Sequence, residues 1–153
     1  MEPKKSKQEQ LLLLTKNIQF NNMDVPFSLK NKTLIRKWIA KAILLEKKTP
    51  DFISYNFCSD KTLLRFNKKY LNHNDYTDII TFDFCDGDML SGDIYISIDR
   101  VKDNAKTHNA TMSNELKRVL IHGVLHLCGY KDKSAADSKL MRDKENYYLS
   151  LLK

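Results

Sequence analysis

Apolar residues recur along this chain in two rhythms. From residue 32 to 47, Leu34, Ile35, Trp38, Ile39, Ala42 and Leu45 return at three- and four-residue steps, with lysines and Arg36 mostly between them. That stripe predicts an amphipathic helix, with Thr33 as its candidate cap. From 51 to 58, Ile53, Tyr55 and Phe57 alternate with Ser54 and Asn56, the rhythm of a strand. Ile18 and Phe20 alternate in the same way and predict a short first strand. Ser59 reads as the cap of a short helix through Leu63, Leu64, Phe66, Asn67 and Tyr70. DIITFDF at 78–84 and SGDIYISI at 91–98 read as two more strands, joined by a hairpin at Asp86-Gly87. Helices are predicted over 99–108, from 113 onward, and from Ala135 to Leu151.

This alternation predicts a single α+β domain: a small mixed four-stranded sheet packed with about five helices, the helix from 113 central among them. A chain of 153 residues fits one domain. Residues 1–16 turn from polar to abruptly apolar and are expected to be a loose N-terminal extension ahead of a domain over 17–153. Its leucines, 11–14, suit either a short helix or a strand.

Composition narrows the class. Apolar residues at 42% and aromatics at 10% are enough for a core, which argues against global disorder. The net charge of +7 favours polyanion partners such as RNA or DNA, or is plain solubility charge. Three cysteines, Cys58, Cys85 and Cys128, form no C-x-x-C pair, as expected of a reduced intracellular protein. No apolar run approaches the roughly 20 residues that span a bilayer. The leucine run is short for a signal segment and lacks a cleavage site, so a cytoplasmic location is expected.

The candidate chemistry lies in SNELKRVLIHGVLHLCGYKDKS, 113–134. Leu116, Val119, Leu120, Val124 and Leu127 form the core stripe of the central helix. His122 and His126 fall one turn apart at the edge of that stripe, near enough to share a metal ion. Gly129 is a natural helix stop, and the turn there can swing Asp132 back as a third ligand. Glu115 lies two turns before His122 and is a candidate support for it. The competing reading is a pair of satisfied core or boundary histidines. His73 and His108 each stand alone in polar segments and read as surface residues. Asp78 and Asp93 read as strand caps or backbone acceptors, and Trp38 as core. A protease zincin needs Glu directly after the first histidine, where this chain has Gly123.

HGVLHLCGYKD resembles the H-G-x-L-H-L-x-G-Y-D-H signature of the YbeY family of bacterial rRNA-maturation endoribonucleases, at His122, Gly123, Leu125, His126, Leu127, Gly129 and Tyr130. Thr77, Asp78 and Phe82 resemble its T-D-V-L-S-F-P segment, and Gly92, Asp93 and Ile94 its G-D-I-x-I strand. The resemblance covers roughly residues 30–150. It implies one zinc ion per chain on three ligands, His122, His126 and Asp132. It also implies single-strand-specific RNA cleavage in 16S rRNA 3′-end maturation and ribosome quality control. The implied partners are rRNA, the ribosomal small subunit and ribosomal proteins.

The chain departs from the signature twice. Asp132 stands where the family closes with histidine, after Lys131 in place of Asp. A His₂Asp set suits zinc, and its hard oxygen tolerates other divalent ions. Leu71 stands where the family's L-N-x-x-Y-R segment carries arginine. Lys68, Lys69, Arg118 and Lys131 are the candidate RNA-binding cations, with Arg65 also near Leu71 in sequence. No catalytic side chain is assigned beyond the ion and its water. The alternative is a non-catalytic ribosome-assembly or RNA-binding factor with a structural zinc.

Overall fold

The computed structural model describes residues 3–152. Its elements run α1 (Lys7–Thr15), β1 (Ile18–Asn22), α2 (Lys32–Leu45), β2 (Thr49–Cys58), α3 (Asp60–Leu71), β3 (Ile79–Asp83), β4 (Met89–Ser97), α4 (Ile98–Thr107), α5 (Met112–Leu127) and α6 (Ala135–Ser150). The four strands lie in the order β1-β2-β4-β3. β1 and β4 both pair parallel with β2, and β3 pairs antiparallel with β4 as the expected hairpin. The sheet is therefore mixed, as the α+β reading required.

Hydroxyl side chains start five of the helices. Ser6, Ser59, Ser97, Thr111 and Ser134 each accept a backbone N–H from the residue three positions on. Each contact satisfies a donor that the first helical turn leaves without a partner. α2 differs: it begins at Lys32 after Asn31 in the left-handed region (φ 57°), so Thr33 lies inside the helix rather than capping it. Asparagine tolerates that conformation better than a β-branched residue.

Among the described residues α1 makes the helices six rather than about five, and it occupies part of the stretch expected to be loose. Ser6 and Glu9 form a reciprocal capping box, Thr15 is buried, and Leu11 packs on the main core. Its four leucines are consecutive, so no period in the sequence distinguishes helix from strand.

The two faces of the sheet carry separate cores. Ile53, Tyr55 and Phe57 of β2, with Ile94 and Ile96 of β4, pack against Ile35, Ile39 and Ile43 of α2 and Val119, Leu120 and Val124 of α5. Trp38 is buried in this core, and its indole N–H donates to the Tyr148 carbonyl at 2.7 Å. On the other face, Leu63 and Phe66 of α3 cover Cys58, Ile80, Phe82 and Tyr95. Gly123 lets α5 lie directly on the sheet: a Cβ there would stand 3.1 Å from Ile79 Cδ1 and from Ile94 Cδ1. Among the described residues, no helix is long and apolar enough to cross a membrane.

Candidate metal centre

α5 brings His122 and His126 to one side of its buried stripe, as the spacing predicts. Their rings meet edge-on with centroids 4.5 Å apart. The helix then stops at Gly129, whose φ of +107° favours glycine. The Tyr130 N–H donates to the Leu125 carbonyl and the Gly129 N–H to the His126 carbonyl, the paired bonds of a Schellman ending. The reversed chain carries Asp132 back over the histidines, and the Ser138 hydroxyl donates to its carbonyl at 2.8 Å.

The three donors converge. Nε2 of His122 and Nε2 of His126 each lie 3.3 Å from Oδ2 of Asp132. Bonds of about 2.0–2.1 Å to one tetrahedral ion would set its ligand atoms about 3.3–3.4 Å apart. The opposite ring nitrogens are already engaged. Nδ1 of His122 is 2.7 Å from Oε2 of Glu145, and Nδ1 of His126 is 2.9 Å from the Tyr130 carbonyl. An Nδ1–H donated to each acceptor leaves the Nε2 lone pair aimed at the convergence point. The residues present therefore fit a divalent cation. Asp132 is 44% exposed, so the site has an open side.

Buried charge surrounds the triad. Glu145 of α6 also takes Arg118 Nη1 at 2.9 Å, and Arg118 Nη2 donates to Asn146 Oδ1 at 2.8 Å. Burial pushes the Glu145 carboxyl up, but hydrogen bonds from His122 and Arg118 outweigh it and hold it below its ordinary value. Burial works against a charged His122, yet the Glu145 hydrogen bond and the charges of Glu145, Asp132 and Asp78 raise its pKa above 6.5. Metal binding would displace that proton. Asp78 is raised chiefly by burial; its Oδ2 accepts from Asn104 Nδ2 at 3.3 Å.

A cleft of about 510 Å³ opens over the triad, between α5 and α6 on one side and β3 on the other. Arg118 lines it, as do Lys133 and Arg142. Lys68, Lys69 and Lys131 are exposed and lie outside its lining. Lys69 instead sits 5.2 Å over the Tyr70 ring. Leu71 does line the cleft, so the position where the family carries arginine belongs to this wall. Asp78 faces the same space, whereas Asp93 alternates with the core-facing Ile94 and lies on the other sheet face.

The support expected from Glu115 comes from Glu145 instead. Glu115 is buried beside His108, 3.7 Å away. Glu145 is not legible in the sequence because it is 23 positions from His122, on a helix whose placement depends on the turn at Gly129. Its one sequence signal is a carboxylate on the last helix with apolar Met141 and Tyr148 at helical spacing around it.

Fold and site together define the class: a small α+β domain with an H-x-x-x-H helix whose donors meet beside a sheet edge. A family model described as Endoribonuclease YbeY matches residues 17–153, and the chain belongs to that family. It is 48% identical over 130 residues to the Endoribonuclease YbeY of Flavobacterium johnsoniae, covering 85% of this chain and 94% of the relative. It is 50% identical over 130 residues to that of Flavobacterium psychrophilum, covering 85% and 93%. A protein of Thermotoga maritima solved in solution, TM1509, has a similar fold, with a TM-score of 0.61, 26% identity and 86% of each chain covered.

Proposed function

We propose that this chain is a zinc-dependent endoribonuclease whose ion sits on His122, His126 and Asp132. The chain's place among the YbeY endoribonucleases makes it an RNA-cleaving hydrolase. The convergence of both Nε2 atoms on one Asp132 oxygen, with both Nδ1 atoms already held, carries the metal reading. When bound, the ion would polarise a phosphoryl oxygen and acidify a water.

The chain's own groups orient the site and hold the strand. Glu145 and the Tyr130 carbonyl fix the two imidazoles, and Arg118 anchors Glu145. Lys133 and Arg142 present positive charge to RNA phosphates in the cleft. Contacts from Lys68, Lys69 and Lys131 would fall on strand running beyond it. The substrate is single-stranded rRNA at the 3′ end of 16S rRNA, met in the cytoplasm on the small subunit, with ribosomal proteins as further partners.

Elemental analysis of the purified chain beside Asp132→Ala tests this reading, followed by cleavage of a single-stranded RNA with and without chelator. About one zinc per chain, lost in the variant together with cleavage, is the expected result. The absence of stoichiometric metal would overturn it. Leu71 favours a second reading, a binding factor with structural zinc, because the cleft wall lacks a guanidinium there. Chelation would then unfold the chain rather than silence a folded enzyme.

A further inference from the structure

We propose that the free edge of β3 is part of the RNA-binding surface, with the outward backbone N–H groups of Ile79 and Thr81 donating to phosphate oxygens of the substrate strand. This rests on the RNA reading above and adds to it the atoms that seat the strand.

Thr77, Asp78, Ile79, Ile80 and Thr81 all line the cleft. Side chains of a strand alternate between faces, so consecutive residues touch one cavity where that cavity runs along the edge. β3 is the terminal strand of the sheet. The direction of its backbone groups follows from the ladder. The Ser97 N–H donates to the Asp78 carbonyl and the Phe84 N–H to the Ser91 carbonyl, which sets the even-numbered residues 78–84 toward β4. Ile79 and Thr81 therefore turn their N–H groups outward, about 6.8 Å apart at 3.4 Å per residue. Among the described residues, nothing accepts from either N–H.

The edge is also close to the chemistry. Ile79 packs against α5 at Gly123, the residue between His122 and Val124. An open edge is ordinarily blunted by charge, proline or cover, because it invites pairing. Here the cleft gives it a defined neighbour.

RNA suits this edge better than an extended peptide. A peptide strand needs outward carbonyls as well as N–H groups. The Ile79 carbonyl already accepts from the Thr77 hydroxyl at 3.2 Å. A phosphate needs donors alone, and Lys133 and Arg142 add charge in the same cleft. Backbone donors read no base, so the contact positions the strand without selecting sequence.

The test is fluorescence anisotropy with a single-stranded 2′-O-methyl oligonucleotide. Thr81→Pro removes the outward N–H and leaves the bonds to β4, a change that edge strands tolerate. Thr81→Val keeps the N–H and removes the hydroxyl. Thr81→Pro should weaken binding by about tenfold, since a hydrogen bond to a charged group is lost. Thr81→Val should stay near wild type, and both should keep their metal. Wild-type affinity in folded Thr81→Pro would overturn the proposal. Should that variant not fold, amide exchange in the wild-type chain reads the same contact. Slowing at Ile79 and Thr81 on adding the oligonucleotide supports the proposal; unchanged exchange with the oligonucleotide bound sinks it and spares the RNA reading. A wild-type chain that binds no RNA sinks both. An extended peptide that protects these amides in place of RNA would overturn the choice of ligand.

Discussion

Glu145 of α6 holds the Nδ1 of His122 at 2.7 Å, although 23 positions separate them in the chain. The contact ties the last helix to the candidate metal ligand and aims its Nε2 at Asp132. Replacing such a supporting acceptor typically costs 10–100-fold in metal affinity. Glu145→Gln should therefore weaken zinc binding by about 10- to 100-fold, read by competition with a chromophoric chelator. Unchanged affinity would show that packing alone orients the ring.

Asp132 gives the site its hard oxygen donor. Asp132→His restores the residue with which the family signature closes. The variant should retain zinc, while its affinity for manganese falls relative to zinc, because imidazole is the softer ligand. Parallel titrations with both metals on wild type and variant measure this. Equal selectivity in the two proteins would show that Asp132 does not set metal preference.

Leu71 leaves an apolar spot on the cleft wall. Leu71→Arg should tighten binding of single-stranded RNA and steepen its salt dependence by close to one phosphate contact, about 0.7 in the log–log slope. Anisotropy at several salt concentrations reads both. An unchanged slope would mean that the strand does not pass this wall.

Gly123 sets the distance between α5 and the sheet. In Gly123→Ala the new methyl would stand 3.1 Å from Ile79 and Ile94 side-chain atoms in a filled core. Overpacking of this kind costs about 1–3 kcal/mol, to be measured as a lower urea midpoint. A variant as stable as wild type would show that the two isoleucines can move aside.

Glu46 predicts how stability responds to acid. Burial pushes its carboxyl up, but hydrogen bonds from Tyr130 and Tyr148 and the nearby Lys144 outweigh it, so its pKa lies below the ordinary 4.5. The unfolded chain therefore binds this proton more readily. The contribution is present above pH 4.5 and is lost as pH falls through the lower folded value. Urea midpoints between pH 7 and 3 should fall less steeply for Glu46→Gln than for wild type. Parallel curves would remove Glu46 from the acid response.

Much of this protein is legible along the chain because its forces there are local. Ser59 caps α3, and alternation marks β2 and β4. The four-residue step of His122 and His126 puts them on one face, and Gly129 ends the helix for reasons of backbone conformation. The resemblance in the HGVLHLCGY segment extends over the same residues. Other features depend on neighbours distant in sequence. α1 lacks a readable period, and its placement comes from packing on the core. Glu145 displaced Glu115 as the support of His122 because α6 folds back across α5. Lys133 and Arg142 line the cleft while Lys68 and Lys69 do not, since the reach of a cation depends on where its helix or turn packs. The free edge of β3 exists only because the sheet order is β1-β2-β4-β3. Propensity, capping and periodicity act within a few residues and can be read in one dimension. Hydrogen bonding between distant helices and the choice of an edge strand arise when the core closes, and they come from its three-dimensional packing.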